Sequence, residues 1–292
     1  MSVLLKPVRY CLNNFRCAFG QKKNGVQLGG EFILQNFMRK KPHHFFVDIN
    51  HIDINHYLDY QKGYNLVQDS LLKRRFNINL GGDHSIAAAT IAPLLTHYKD
   101  DLLVIWIDAH ADLNTYDSSL TKNIHGMPVG ALTGLMDHWY KQSNPYKQSN
   151  PYKQSNPYKQ SNPYKQSNLA MENLLYIGIR DLDLFEKEKI MTHGIKHFPT
   201  YTSQVIQAIR NHPAQYIHIS CDIDSMDPLI MPSTGTPVPH GLTLKNVTNI
   251  IKAAKSRLIS FDLVEFNPLI GNKRQVETTL NNIHRILTKV IN

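Results

Sequence analysis

From residue 76 onward, short apolar runs alternate with stretches in which apolar residues recur at helical spacing. The runs fall at 76–80, 102–107, 174–179, 216–219 and 258–261. Leu102-Leu-Val-Ile-Trp-Ile107 is uninterrupted, β-branched and aromatic. Such a run predicts a strand buried on both faces of a parallel sheet. Strands separated by helical stretches predict an α/β fold with right-handed crossovers. Before residue 76 the pattern is weaker. It predicts a loop at 25–30 feeding an amphipathic helix over 31–38, a short strand at 45–48 and a helix over 60–75. A last helix is expected over 273–290.

Each run ends in chemically distinctive residues. Phe76-Asn-Ile-Asn-Leu80 leads into Gly81-Gly-Asp-His84, and the 102–107 run into Asp108-Ala-His-Ala-Asp112. Arg180-Asp-Leu-Asp183 succeeds the third run, Asp222-Ile-Asp224 the fourth and Glu265 the fifth. Ligands of open α/β sheets bind at the C-terminal ends of the strands, so these residues can share one crevice. A carboxylate is costly to bury without a positive partner. Alternation along an extended chain puts Asp108, His110 and Asp112 on one side, and three oxygen and nitrogen donors converging on a point suggest a metal site. Asp83 and Asp227 read as turn or cap residues, Cys221 as a small core residue and His218 as a core histidine. Gly81-Gly82 reads as a tight turn rather than a phosphate loop.

One stretch breaks the rhythm. Residues 140–168 are Tyr-Lys-Gln-Ser-Asn-Pro in five copies, the last lacking its proline. Proline every sixth residue forbids a helix and interrupts a strand ladder. A six-residue period also suits a β-helix, but turns this polar would lack a core. The segment is therefore read as a disordered insertion in a single domain spanning 1–292.

Composition narrows the classes. With 42% hydrophobic residues the chain can fill a core, and no run of 18 apolar residues offers a membrane span. The formal charge of +9 invites a nucleic-acid reading. Five of those charges are the repeat lysines 141, 147, 153, 159 and 165; without them +4 remains, and no aromatic-basic RNA motif accompanies it. Three cysteines without disulfide or metal spacing, and an opening Met1-Ser-Val-Leu-Leu-Lys6 without an export signal, lead us to expect a reducing, cytoplasmic location.

Gly81-Gly-Asp-His-Ser85, Asp108-Ala-His-Ala-Asp-Leu-Asn114, Asn123-Ile-His-Gly-Met-Pro-Val129, Ser220-Cys-Asp-Ile-Asp-Ser-Met-Asp-Pro228 and Thr234-Gly-Thr-Pro237 occur in one order. Together they resemble the ureohydrolases, and the arginases among them, over about two thirds of the chain. The resemblance implies a three-layer α-β-α fold with a mostly parallel sheet of about eight strands. It implies two Mn²⁺ per chain and hydrolysis of L-arginine to L-ornithine and urea by a metal-bridging hydroxide. By motif, His84, Asp108, Asp112 and Asp222 would hold one ion, and His110, Asp108, Asp222 and Asp224 the other. This set, rich in carboxylate oxygen, suits Mn²⁺. Asp112 would also carry a proton, His125 would shuttle one, and Glu265 would pair with the guanidinium.

Asn114, Thr121 and Asn123 match carboxylate-binding positions, Asp183 the position facing the α-amino group, and Thr236 a further pocket contact. Glu186 reads equally as an α-amino contact or an exposed helical residue. Thr121 stands where serine is usual and His240 where glycine is; a left-handed backbone at His240 would carry strain. A homo-oligomer, trimer or hexamer, is also implied. Agmatine or another guanidino or formimidoyl compound is the alternative substrate, and a silent metal-binding scaffold the alternative class.

Overall fold

All six residues of Leu102–Ile107 are fully buried and form a central strand, as their unbroken apolarity requires. The computed structural model describes residues 9–40, 47–136 and 168–292. The strands are β1 (Tyr10–Cys17), β2 (Val47–Ile54), β3 (Phe76–Leu80), β4 (Leu102–Ile107), β5 (Leu174–Ile177), β6 (Lys196–Phe198), β7 (Tyr216–Asp222) and β8 (Leu258–Val264). They form one eight-stranded sheet in the order β2-β1-β3-β8-β7-β4-β5-β6, every neighbouring pair parallel.

The helices are α1 (Gly29–Lys40), α2 (Tyr60–Leu72), α3 (Ala87–Tyr98), α4 (Pro128–Leu132), α5 (Leu184–Thr192), α6 (Ser203–Asn211), α7 (Leu244–Ala254) and α8 (Lys273–Ile291). They sort onto two faces. Leu103, Ile105 and Ile107 point to a core closed by α1, α6, α7 and α8. Leu102, Val104 and Trp106 point to a second core with α2, α3 and α4. The expected α-β-α layering results directly from this two-sided burial.

Three differences from the sequence reading have physical causes. Tyr10–Cys17 is a strand that its polar Asn13, Asn14 and Arg16 disguise. Asn13 is fully buried because its amide bonds Asn77 and Asn79 across β3 at 3.1 and 2.8 Å, and Asn50 of β2 returns a bond at 2.9 Å. β6, only three residues long, offers no periodicity to read. The expected strand at 45–48 is displaced: β2 begins at Val47, and residues 45 and 46 lie outside the described residues. The repeat insertion, apart from Asn168, also lies outside them. Beside it, the Leu169 amide donates to the Leu132 carbonyl at 2.7 Å.

Candidate metal centre

The sheet order makes β3, β8, β7 and β4 consecutive neighbours, so their C-terminal ends share one rim. His84 lies just beyond β3, Glu265 beyond β8 and Asp108 beyond β4, while Asp222 ends β7. Residues up to 181 positions apart thereby meet: the His84 amide donates to Glu265 Oε1 at 2.9 Å. Tight passage at the first of these ends needs Gly82, where a Cβ would overlap the backbone of Cys17.

Two donor groups form there. His84 Nδ1 lies 3.0 Å from Asp108 Oδ2, 3.1 Å from Asp112 Oδ2 and 3.5 Å from Asp222 Oδ2. His110 Nδ1 lies 3.1 Å from Asp224 Oδ2 and 3.5 Å from Asp108 Oδ1. Asp108 thus belongs to both groups. Asp222 turns its Oδ1 to the Asp224 amide at 2.8 Å, which ties the two together.

The convergence does not arise from strand alternation, the cause that the sequence suggests. β4 stops at Ile107, and His110 makes an isolated bridge to Asp181. Asp112 then adopts a left-handed backbone with φ of 50°. That turn, not the pleat, swings its carboxylate to His84. Glu265 is left-handed as well, with φ of 67°. Such a conformation costs a non-glycine residue about 1–2 kcal/mol, and it persists where surrounding bonds fix it. The amides of Val129 and Gly130 hold the Asp112 carbonyl at 3.0 and 3.3 Å, and the Glu265 amide donates to the Gly82 carbonyl at 2.9 Å.

The residues around the donors orient them. The His84 ring stacks on Trp106 with centroids 4.1 Å apart and planes within 9°. Its Nε2 lies 2.8 Å from Ser220 Oγ. Trp106 Nε1 donates to Asp108 Oδ2 at 3.0 Å, and Thr236 Oγ1 donates to Asp224 Oδ2 at 2.9 Å. Thr236, expected in the substrate pocket, therefore places its hydroxyl on a candidate metal ligand. Ser220 opens one of the sequence motifs but is given no role by it, and Trp106 gives no functional signal; a hydroxyl two residues before an acidic site residue and an aromatic in a strand are ordinary features.

The electrostatics test whether cations fit. Asp108, Asp112, Asp222 and Asp224 are all buried within one small volume. Burial and its carboxylate neighbours Asp224 and Asp108 push Asp222 well above the usual carboxylate range. Burial and Asp108 push Asp112 up to about 6. Against burial, the neighbouring His110 and His84 rings, 3.5 and 3.0 Å from its oxygens, hold Asp108 below that range. Against burial, bonds to Asp108 and Asp224 raise His110 to about 12, and His84 rises well above its ordinary value for a similar reason. Without metal, protons must therefore supply the positive charge that this cage demands. His84 Nδ1 is buried, lacks a well-formed hydrogen bond and points among three carboxylates. With Nε2 committed to Ser220, that nitrogen is the one that could face an ion. Two imidazoles and four carboxylates, with no thiolate, form a hard donor set for divalent ions.

A second cluster adjoins the cage. Glu265 Oε1 accepts from the His84 amide and lies 3.1 Å from His125 Nδ1; its Oε2 accepts from Gln21 Nε2 at 2.8 Å. Against burial, the bonds from His125 and Gln21 lower Glu265; His125 in turn, against burial, is raised by Glu265 to about 9. Gln21 comes from the loop after β1, a stretch without chemistry in the sequence reading. Nothing local marks it, because its partner is 244 residues away.

Farther out, Asn114 Nδ2 donates to Asp183 Oδ2 at 2.7 Å, so two predicted substrate residues do meet. Asp183 also caps α5, its Oδ1 accepting from the Glu186 amide at 2.9 Å. Glu186 is buried, which settles the ambiguity about its exposure. It accepts from the Leu113 amide, and burial with Asp183 and Asp112 raises it to about 7. Arg180 clamps the far wall by bonds to the carbonyls of Gly178, Asp224, Ser225, Val238 and Pro239. His240 is left-handed with φ of 62°, so the anticipated strain is present. Thr121 is exposed, its hydroxyl accepting from the Asn123 amide at 3.3 Å.

Asp83 caps the turn after β3, accepting from the Ser85 amide at 3.1 Å, and Asp227 accepts from the His240 amide at 2.9 Å. His218 is fully buried, with Nδ1 2.6 Å from Ser260 Oγ and Nε2 3.3 Å from Asp262 Oδ2. Cys221 is buried among the apolar residues of the opposite face.

An eight-stranded parallel sheet with two adjoining His/Asp groups at its C-terminal rim defines an α/β protein with a candidate dinuclear metal centre. Residues 14–291 match the Arginase family, and the chain belongs to it. It is 34% identical to an arginase of Schizosaccharomyces pombe over 229 residues, 74% of this chain and 65% of that protein. The chain thus spans under two thirds of that relative's length. It is 32% identical over 289 residues to a Staphylococcus aureus arginase, covering 87% of this chain and 88% of that one. Among solved structures, Entamoeba histolytica arginase in complex with L-ornithine superposes with a TM-score of 0.78 at 27% identity, covering 97% of both chains.

Proposed function

We propose that this protein is a dinuclear manganese hydrolase that cleaves L-arginine to L-ornithine and urea. The observation that carries the reading is His84 Nδ1, buried without a well-formed hydrogen bond among Asp108, Asp112 and Asp222 beside a second group that shares Asp108. His84, Asp108, Asp112 and Asp222 would hold one ion, and His110, Asp108, Asp222 and Asp224 the other. When bound, the pair supplies a water acidified far below its bulk pKa of about 15.7.

The chain's own residues then have defined tasks. Glu265, fixed through both oxygens, offers its charge to the substrate guanidinium. The Asp112 carboxylate takes up the proton released as the water oxygen adds to the guanidinium carbon. The carbon–nitrogen bond to the ornithine nitrogen breaks, and that nitrogen must gain a proton. The buried Asp112 carboxylate, beside His84, is placed to hold that proton and return it. His125 moves protons between this region and solvent. Asn114 and Asp183, already paired, receive the α-carboxylate and α-amino ends, with Thr121 and Asn123 nearby in sequence. The relatives named arginase and the ornithine complex of one of them support the substrate class.

The test is urea release from L-arginine, agmatine and guanidinobutyrate, and formamide release from formimidoylglutamate. Each is measured after Mn²⁺ loading and after chelation. Metal-dependent turnover of arginine above the others is the expected result. Turnover of agmatine instead would move the substrate and leave the metal chemistry. Silence with two ions bound would favour a binding scaffold.

A further inference from the structure

A second concentration of charge, opposite in sign to the cage, lies at its mouth. A cavity of about 370 Å³ opens between the loop after β1 and the segment before His125. Lys22 and Lys122 line it together with Gln21, Tyr116 and Asn123, and among the described residues no carboxylate does. It adjoins the cage: the side-chain amide of Gln21 donates to Glu265, and the carbonyl of Gly20 accepts from the His125 amide at 3.1 Å.

Lys122 is unusual within this wall. Its backbone is left-handed, with φ of 59°. That region is disfavoured for a lysine, and such outliers gather at ligand clamps. Its amide donates to Ser119 Oγ at 3.1 Å and its ammonium donates to the Tyr116 carbonyl, which fixes the side chain beside the cavity. An ammonium carries three donors and keeps capacity beyond that one bond. The crevice is thus polarised, with carboxylates at its floor and ammonium groups at its mouth. A ligand with a cation at one end and a carboxylate at the other is aligned by both.

We propose that Lys122, together with Lys22, forms a cationic subsite for the substrate carboxylate and so sets selectivity for the amino acid over its decarboxylated amine. The inference rests on the hydrolase reading above. Its test is the manganese-loaded full chain carrying Lys122→Met, Lys122→Gly or Lys122→Arg. In Lys122→Met the KM for arginine should rise about five- to tenfold, with little change in kcat. The kcat/KM for agmatine, which has no carboxylate, should stay at the wild-type value. Lys122→Gly relieves the backbone and should still show the same KM increase, while Lys122→Arg should recover most of the loss.

Calorimetric binding of L-ornithine and of putrescine provides a readout independent of turnover. Ornithine should weaken in Lys122→Met and putrescine should not. Equal losses for both ligands, or unchanged ornithine affinity, would overturn the proposal. If the wild type hydrolysed none of the guanidino compounds, the function reading would fail while this binding comparison still decided the role of Lys122. Wild-type protein that bound ornithine no better than putrescine would overturn the subsite as well.

Discussion

At the ends of β3, β4 and β7, His84, Asp108, Asp222 and Asp224 are at most 3% exposed, whereas Thr121 and Lys122 at the mouth stand in solvent. Both regions concentrate charge, but only the first must solve the problem of burying it. Asp108, Asp222 and Asp224 are each held by at least one bond from a ring, a backbone amide or a hydroxyl, and together with Asp112 they demand a cation. The mouth needs no such closure. Its groups keep access to water, so their interactions are screened and their changes small. Loss in the cage should therefore abolish chemistry, and loss at the mouth should adjust selectivity.

The largest expected effect comes from Asp108, which both donor groups share. Asp108→Asn should lower kcat by about 10²–10³-fold or more, and metal analysis should find fewer than two ions per chain. Near-normal activity with two ions bound would contradict the shared-ligand assignment.

Next in size is the support beneath the cage. Ser220→Ala leaves every candidate ligand in place but removes the partner of His84 Nε2. Outer partners of this kind typically contribute about 10–100-fold in metal affinity, so the Mn²⁺ concentration for half-activation should rise by about tenfold or more. An unchanged activation curve would mean that the Trp106 stack alone orients the ring.

The smallest effect lies where cage and mouth meet, at the pair His125–Glu265. Burial alone would lower His125, but Glu265 raises it from 6.5 to about 9. A histidine with a raised folded pKa contributes stability that is fully present below its unfolded pKa. That contribution is lost as pH rises through the folded value. In chelated protein, the Tm of wild type should exceed that of His125→Asn by a few degrees near pH 6. The difference should shrink between pH 6.5 and 9. A difference independent of pH would assign the effect to packing.

Legibility in the sequence divides along the same line. β4 announces itself because every one of its residues is apolar and every one is buried. β1 does not, because its buried Asn13 is satisfied by Asn50, Asn77 and Asn79 on two other strands. Polarity that is paired across a sheet looks, along one chain, like polarity exposed to water. The same holds within the site. His84, Asp108, His110, Asp112, Asp222, Asp224 and Glu265 can be named because their motifs come directly after apolar runs. Gln21, Ser220 and Trp106 cannot, since each acts only through a partner supplied by the fold.

The sequence by itself determined the α/β class, the buried strands and the acidic and imidazole residues at their ends, because hydrophobic periodicity and donor chemistry are local properties. The tertiary structure decided which strands became neighbours and therefore which donors met. It also decided the left-handed turns at Asp112, Lys122 and Glu265. Backbone strain and long-range partners have no local signature; only the packed surroundings that hold a residue in such a conformation give it one.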